Sequence, residues 1–246
     1  MLALKEYTAK THQGPYLEIN EDHYHLDVVN NLFLIFDGFG GAGVGDSAVS
    51  LLSDEVAKFY TKLDSDPDLT LPFFFSPKYL IEGNALINSI QYAHQTLMKR
   101  NNEKKNLSQK GGASIIGAAM SENIMTFACA GNCASYLYRS GHIAPITYPD
   151  VLQFHFEGRQ NTISHLCPSN GLGLFDDLYL QIRELKVEPE DIIIFVTDGV
   201  FGKLDINELK YIIEMKNDDH EKGALIFNLA NNKGNLDNQT FVMLRF

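Results

Sequence analysis

Two stretches of unbroken apolar sequence run into the dipeptide Asp-Gly, and few architectures accommodate that pattern twice. Leu32-Phe33-Leu34-Ile35-Phe36 leads into Asp37-Gly38, and Ile194-Phe195-Val196 leads through Thr197 into Asp198-Gly199. Short apolar runs without period-two alternation suit strands buried on both faces. A carboxylate at the end of such a strand is held rigidly, and the glycine after it lets the chain turn and bring a backbone carbonyl to the same point. Two more acidic sites lie at strand margins: Asp237 before the closing apolar segment, and Glu21-Asp22 before an early one. If these strands share one sandwich, the acids gather at one edge, where their repulsion calls for divalent metal. A lone Asp-Gly is a common turn dipeptide, so the weight rests on the set.

The rest of the chain alternates strand-like and helix-like blocks in uneven groups. Strands are expected near 3–10, 23–28 and 31–36, the last stopping at Asp37-Gly38. A glycine-rich stretch from Gly38 to Gly45 follows, and Asp46 is placed to cap a helix whose Val49, Leu52, Val56, Phe59 and Leu63 form one stripe. A polar, Pro-containing loop at 64–77 leads to a second helix near 78–100, on which His94 reads as structural. Four strands, near 112–120, 123–130, 134–139 and 142–147, are expected to form an antiparallel meander. Strands near 178–187 and 191–197, helices near 205–215 and 218–231, and a strand at 239–245 complete the pattern. Strands grouped together, with helices in two batches, indicate an α+β fold. The segment 147–177 shows only weak periodicity.

Composition narrows the functional classes. A net charge of −11 without a basic stripe excludes the electrostatic footprint of a nucleic-acid binder. No apolar stretch approaches the roughly 18 residues of a membrane span, so no membrane partner is expected. Three cysteines, Cys129, Cys133 and Cys167, lack the spacing of a zinc site or disulfide framework. The N-terminus, Met1-Leu-Ala-Leu-Lys-Glu-Tyr, lacks the order of a secretory signal, and a cytoplasmic setting is expected.

Read in order, Asn20-Glu21-Asp22, Asp37-Gly38-Phe39-Gly40-Gly41, Gly111-Gly112-Ala113-Ser114, Gly131-Asn132-Cys133-Ala134, Thr197-Asp198-Gly199-Val200-Phe201 and Asp237-Asn238-Gln239-Thr240 resemble the successive motifs of the protein phosphatase 2C family. The segment Asn161 to Leu166 is similar to a further family stretch, more loosely. The resemblance spans nearly the whole chain and implies one catalytic domain over 1–246. Its fold would be a four-layer α-β-β-α sandwich, two central antiparallel sheets flanked by helix pairs. It also implies two divalent cations, Mn2+ or Mg2+. Asp37 would bridge them, the Gly38 carbonyl would bind one, and Asp198 and Asp237 the other, with Asp22 among the ligands and Glu21 and Asn238 behind them. The implied reaction is hydrolysis of phosphoserine or phosphothreonine in a protein substrate, by in-line attack of a metal-bridged water that Asp37, Asp198 and Asp237 hold through the metals.

Four residues depart from the family pattern. Leu17 stands where many bacterial relatives carry a phosphate-binding arginine, leaving Lys5, Lys10 or His12 as substitutes. Phe39 replaces a histidine found in some members. Asn132 and Ala134 stand where an aspartate and an arginine are common, which argues against a third metal. These departures keep two alternatives open: a partner-binding pseudophosphatase, and a phosphatase of small phosphate esters. His23 and His25 lie on one face of their strand, near the acids. Phe73-Phe74-Phe75 reads as a loop anchor or a docking patch.

Overall fold

The computed structural model describes residues 2–40, 43–65, 71–157 and 162–246, and among them two five-stranded antiparallel sheets lie face to face. One sheet is ordered β1 (Glu6–His12), β12 (Gln239–Arg245), β11 (Ile192–Thr197), β6 (Cys133–Arg139) and β7 (His142–Thr147). The other is ordered β10 (Gln181–Lys186), β5 (Ile124–Ala130), β4 (Gly112–Ser121), β3 (Leu32–Phe39) and β2 (Asp22–Asp27). Helices α1 (Val44–Ser65) and α2 (Ile81–Asn102) cover the outer face of the second sheet. A short α3 (Asp198–Phe201), α4 (Ile206–Glu214) and α5 (Asp219–Asn232) lie against the first. The four layers α-β-β-α and the α+β class are those expected from the sequence.

The layering explains the unbroken apolar runs. Along β3, Phe33 and Ile35 pack between the sheets with Ile116, Phe127 and Phe195, while Leu32, Leu34 and Phe36 pack against Val49, Leu52 and Leu86 of the helices. Along β12, Val242 and Leu244 enter the inter-sheet core, and Phe241 and Met243 meet Leu209, Ile212 and Ile226. A central strand with a core on each side has no solvent face on which to place polar residues. Helix α4 starts at a reciprocal cap, in which Asp205 accepts from the Glu208 backbone N–H and Glu208 accepts from that of Asp205.

Several local expectations are corrected. The four strands between 112 and 147 are not one meander. β4 and β5 pair in one sheet and β6 and β7 in the other, so the chain changes sheets at Gly131-Asn132, where Gly131 has φ +88°. Strand β3 does not stop at Asp37 but continues through Phe39, because β4 pairs with it as far as Gly112. Asp198 opens a helical turn, and α1 begins at Val44, leaving Asp46 in its first turn. The weakly periodic segment contains a hairpin, β8 (Val151–Glu157) with β9 (Thr162–Pro168), which forms a separate two-stranded sheet. Residues Gly41 and Asn161 of the sequence motifs, and 66–70 of the expected loop, lie outside the described residues.

At the end of the sandwich that holds Arg245, the almost fully buried Asp191 accepts from Arg139 Nε at 2.7 Å and Nη2 at 2.5 Å, and from the Glu188 N–H at 2.8 Å. Arg139 also donates to the Lys186 carbonyl, so this pair ties β6 to the loop between β10 and β11. Arg139 is 32% exposed and lies 3.6 Å from Glu188, so loss of Asp191 leaves its charge solvated, while the Glu188 N–H loses its acceptor. Asp191→Ala is expected to cost about 1.5 kcal/mol of unfolding free energy, read as a lower urea midpoint with unchanged slope.

Candidate metal centre

The register of β2, β3 and β4 places Asp22 opposite Asp37, and Asp37 opposite Ser114. Alternation puts all three on the face that carries Tyr24, Phe33, Ile35 and Ile116, the inter-sheet face. The acids therefore cap one end of the central core. His23 and His25 fall on the opposite face, towards α1; the His23 ring lies 6.4 Å from that of Phe36, and its pKa is lowered first by burial and then by His25.

The other sheet supplies the remaining acids and most of the groups that hold them. Thr197, the last residue of β11, donates from Oγ1 to Asp22 Oδ2 at 2.8 Å and accepts from the Thr240 N–H at 2.9 Å, joining the sheets through one hydroxyl. Asp198 Oδ2 accepts from Asn132 Nδ2, at the crossover between sheets. Asp237 Oδ1 accepts from the Asn238 N–H at 2.8 Å. Asn238 is buried and ties its own segment to the loop between β1 and β2 at three points: its Oδ1 accepts from the Glu21 N–H, and its Nδ2 donates to the Gln13 and Ile19 carbonyls. Glu21 Oε1 accepts from the Gly45 N–H in the first turn of α1, where the helix dipole favours an anion.

Both Asp-Gly pairs need glycine for close approach. A Cβ at Gly38 would lie 2.5 Å from the Glu21 carbonyl oxygen, and one at Gly199 would lie 1.8 Å from that of Asn238. Each glycine thus brings the strand carrying one acid against the segment carrying another. The neighbouring Phe39 ring packs against Gly112 and Gly171, so it serves as a prop beneath the loop that follows β9.

The electrostatics are those of crowded carboxylates. Burial raises Asp37 well above the ordinary aspartate range, and Asp198, Asp22, Asp237 and Glu21 push it further. Asp22 is raised chiefly by burial, against the pull of Thr197 and Thr240. Asp198 is pushed up to about 7 by burial and then by Asp237, although Asn132, the Gly199 backbone and Lys203 lower it. Among the described residues, no three Asp, Glu, His or Cys side chains already form a ligand set; Asp22, Asp198 and Asp237 each have an oxygen on a protein donor. Asp37 Oδ2, in contrast, is buried without any hydrogen-bond partner. An orphaned buried carboxylate oxygen among other acids fits a hard divalent cation, whose charge would satisfy it and relieve the repulsion.

Of the substitutes for the missing arginine, Lys5 pairs with Glu190 at the far end of β1, and Lys10 lies along Gly223 of α5. His12 lies at the acid end, opposite Gln239, with its Nδ1 accepting from the Gly14 N–H. Sequence patterns alone do not single out Thr197, Thr240 or Lys203. Thr197 adjoins an Asp-Gly pair, which is a usable signal; Lys203 carries no local one.

No protein-family model matches the sequence, and no curated protein matches it. Solved structures do match its fold. The serine/threonine phosphatase PstP/Ppp of Mycobacterium tuberculosis is 18% identical, with 98% of each chain covered and a TM-score of 0.76. The PPM Ser-Thr phosphatase MsPP of Mycobacterium smegmatis, in complex with cacodylate, is 18% identical over the whole of both chains, with a TM-score of 0.75. The catalytic domain of PstP in complex with two manganese ions is 18% identical, covering 98% of this chain and 97% of that one, with a TM-score of 0.73. The fold is therefore that of the PPM serine/threonine phosphatases, in agreement with the resemblance carried by the sequence motifs.

Two outcomes follow from this geometry. The raised acids disfavour the folded state once they ionise. Their unfavourable contribution is absent below the unfolded aspartate pKa near 4 and grows as pH rises through the folded value, about 7 for Asp198, with about 1.4 kcal/mol for every tenfold change in proton affinity. With chelator present, the melting temperature is expected to be lower at pH 8 than at pH 5.5, and manganese should raise it more at pH 8; Asp37→Asn should flatten both effects. Gly199→Ala is expected to lower the melting temperature by more than the about 4 °C that ~1 kcal/mol gives in a chain of this size, since the obstructing atom is backbone.

Proposed function

We infer that this chain is a metal-dependent phosphatase of phosphoserine and phosphothreonine in proteins. The observation that carries the reading is the partnerless, buried Asp37 Oδ2 amid Asp22, Asp198 and Asp237, at the acid-capped end of a PPM phosphatase fold. Asp37, Asp22, Asp198, Asp237 and the Gly38 carbonyl would hold two divalent cations, manganese or magnesium. Bound there, the cations would supply the charge that lowers the pKa of water and offsets the phosphoryl oxygens.

The chain's own groups would do the rest. Thr197 fixes the rotamer of Asp22, Asn132 that of Asp198, and the Asn238 clamp sets the path of Asp237, so the acids reach the site with little freedom left to lose. Lys203, whose charge already pulls on Asp198, adds positive potential beside the acids. A partner-binding role without turnover draws on the engagement of Asp198 by Asn132 and on the apolar Leu17. A single domain over 1–246 and a phosphorylated protein substrate in the cytoplasm belong to the same proposal.

The test is release of phosphate from a phosphothreonine peptide with manganese, magnesium or chelator. Metal-dependent release that falls by at least the ~10–100-fold typical of disturbing a metal ligand's surroundings in Asp198→Asn supports the reading. Turnover of an aryl phosphate alone would move the substrate class to small esters. Absence of turnover together with absence of manganese binding by calorimetry would leave the partner-binding role.

A further inference from the structure

One part of the surface beside the acid cluster, the loop between β1 and β2, carries exposed apolar side chains. The loop between β1 and β2 wraps the Asp237-Asn238 segment: Gly14 lies against the Asp237 carbonyl, and Asn238 Nδ2 donates to the carbonyls of Gln13 and Ile19. On this loop Tyr16 is 74%, Leu17 40% and Ile19 45% exposed, and Leu236, next to Asp237, is 58% exposed. Four exposed large apolar side chains therefore sit on the two segments that the Asn238 clamp joins. The Ile19 side chain reaches the start of α1 at Gly43, so the apolar strip continues towards the segment that follows Asp37-Gly38. Exposed apolar residues gathered at a functional rim mark a surface built to be covered. Glu18 lies among them and the chain carries −11 overall, so the covering segment is not acidic beyond its phosphate.

We propose that Tyr16, Leu17, Ile19 and Leu236 form a specificity rim that takes an apolar side chain flanking the phosphorylated residue of a peptide substrate. The proposal rests on the phosphatase reading and adds the substrate class. Leu17 then contributes by burying surface against the substrate, and recognition moves from the phosphate group to its neighbours. An apolar side chain docked on a rim is covered on one side, so its discrimination falls below the ~10–200-fold that a methylene gives in an enclosed pocket.

The experiment compares kcat/KM in manganese for phosphothreonine peptides flanked on each side by leucine or by glycine, which are equal in charge, and by glutamate, which makes the peptide more acidic. The expected order is leucine over glycine over glutamate, with leucine favoured over glycine by about fivefold, below the range for an enclosed pocket. In Leu17→Ser and separately in Leu236→Ser, both exposed positions, the leucine-to-glycine ratio should fall towards one, chiefly through KM. Binding of a non-hydrolysable phosphonate analogue of the leucine-flanked peptide, followed by fluorescence anisotropy, should weaken in parallel. Equal turnover of leucine- and glycine-flanked peptides, or a ratio unchanged in both variants, would overturn the rim while leaving the phosphatase reading intact. Lack of turnover of every peptide by the wild type would remove both.

Discussion

Two carboxylates face each other across an antiparallel ladder. Asp22 and Asp37 are register partners on β2 and β3, both directed into the space between the sheets, and like charges directly opposite one another oppose strand pairing. The surrounding structure can be understood as what tolerates this conflict. Pairing with β2 and β4 on either side holds the Asp37 backbone, and its Oδ2 is buried although the residue is partly exposed. Thr197 reaches across from the other sheet to satisfy one oxygen of Asp22, and Asn132 and the Asn238 N–H do the same for Asp198 and Asp237. Asp37 Oδ2 is buried without a hydrogen-bond partner, and it gives the cluster a chemical demand that the donors among the described residues do not meet.

Much of the fold was legible because its hydrophobic pattern is uncompromised. The run Leu32 to Phe36 could only be a strand with two apolar faces, and the stripe of Val49, Leu52 and Val56 could only be a helix packed by one side. The change of sheet at Gly131-Asn132 was not legible, since a tight connection between two strands looks the same whether they pair or part; the partners of β6 are settled by β11, almost sixty residues further on. The β8–β9 hairpin escaped for a different reason. Its two strands pair with each other, outside both five-stranded sheets, so no neighbouring strand of either sheet marks its position.

The site shows the same division. Asp37, Asp198 and Asp237 announced themselves through their positions at strand margins, and the structure gathers them with Asp22 into one electrostatically coupled group. Glu21 kept its place in the chain, yet its side chain serves the first turn of α1. The residues that orient the acids were harder to find. A threonine hydroxyl, an asparagine amide and a lysine beyond the Asp-Gly turn act through space, and a single sequence holds no measure of that distance. The glycines of the two Asp-Gly pairs matter less for turning than their dipeptide pattern suggests, and more for letting two backbones touch.

Strand β12 lies between β1 and β11, and its first residues follow Asp237-Asn238, so the last strand in the chain is also the one that locks the first segment to the centre of its sheet. Asp22 and Asp37 therefore come from segments far in sequence from Asp237, and Asp237 joins them only when β12 has inserted. Such long-range closure is slow compared with local pairing. During synthesis, a chain that has not yet reached β12 would carry Asp22 and Asp37 as an incomplete pair, and the other acids would join them only after that strand has paired. A cation that needs all of these oxygens would then reward the insertion of β12, turning a strand-pairing step into a condition for binding.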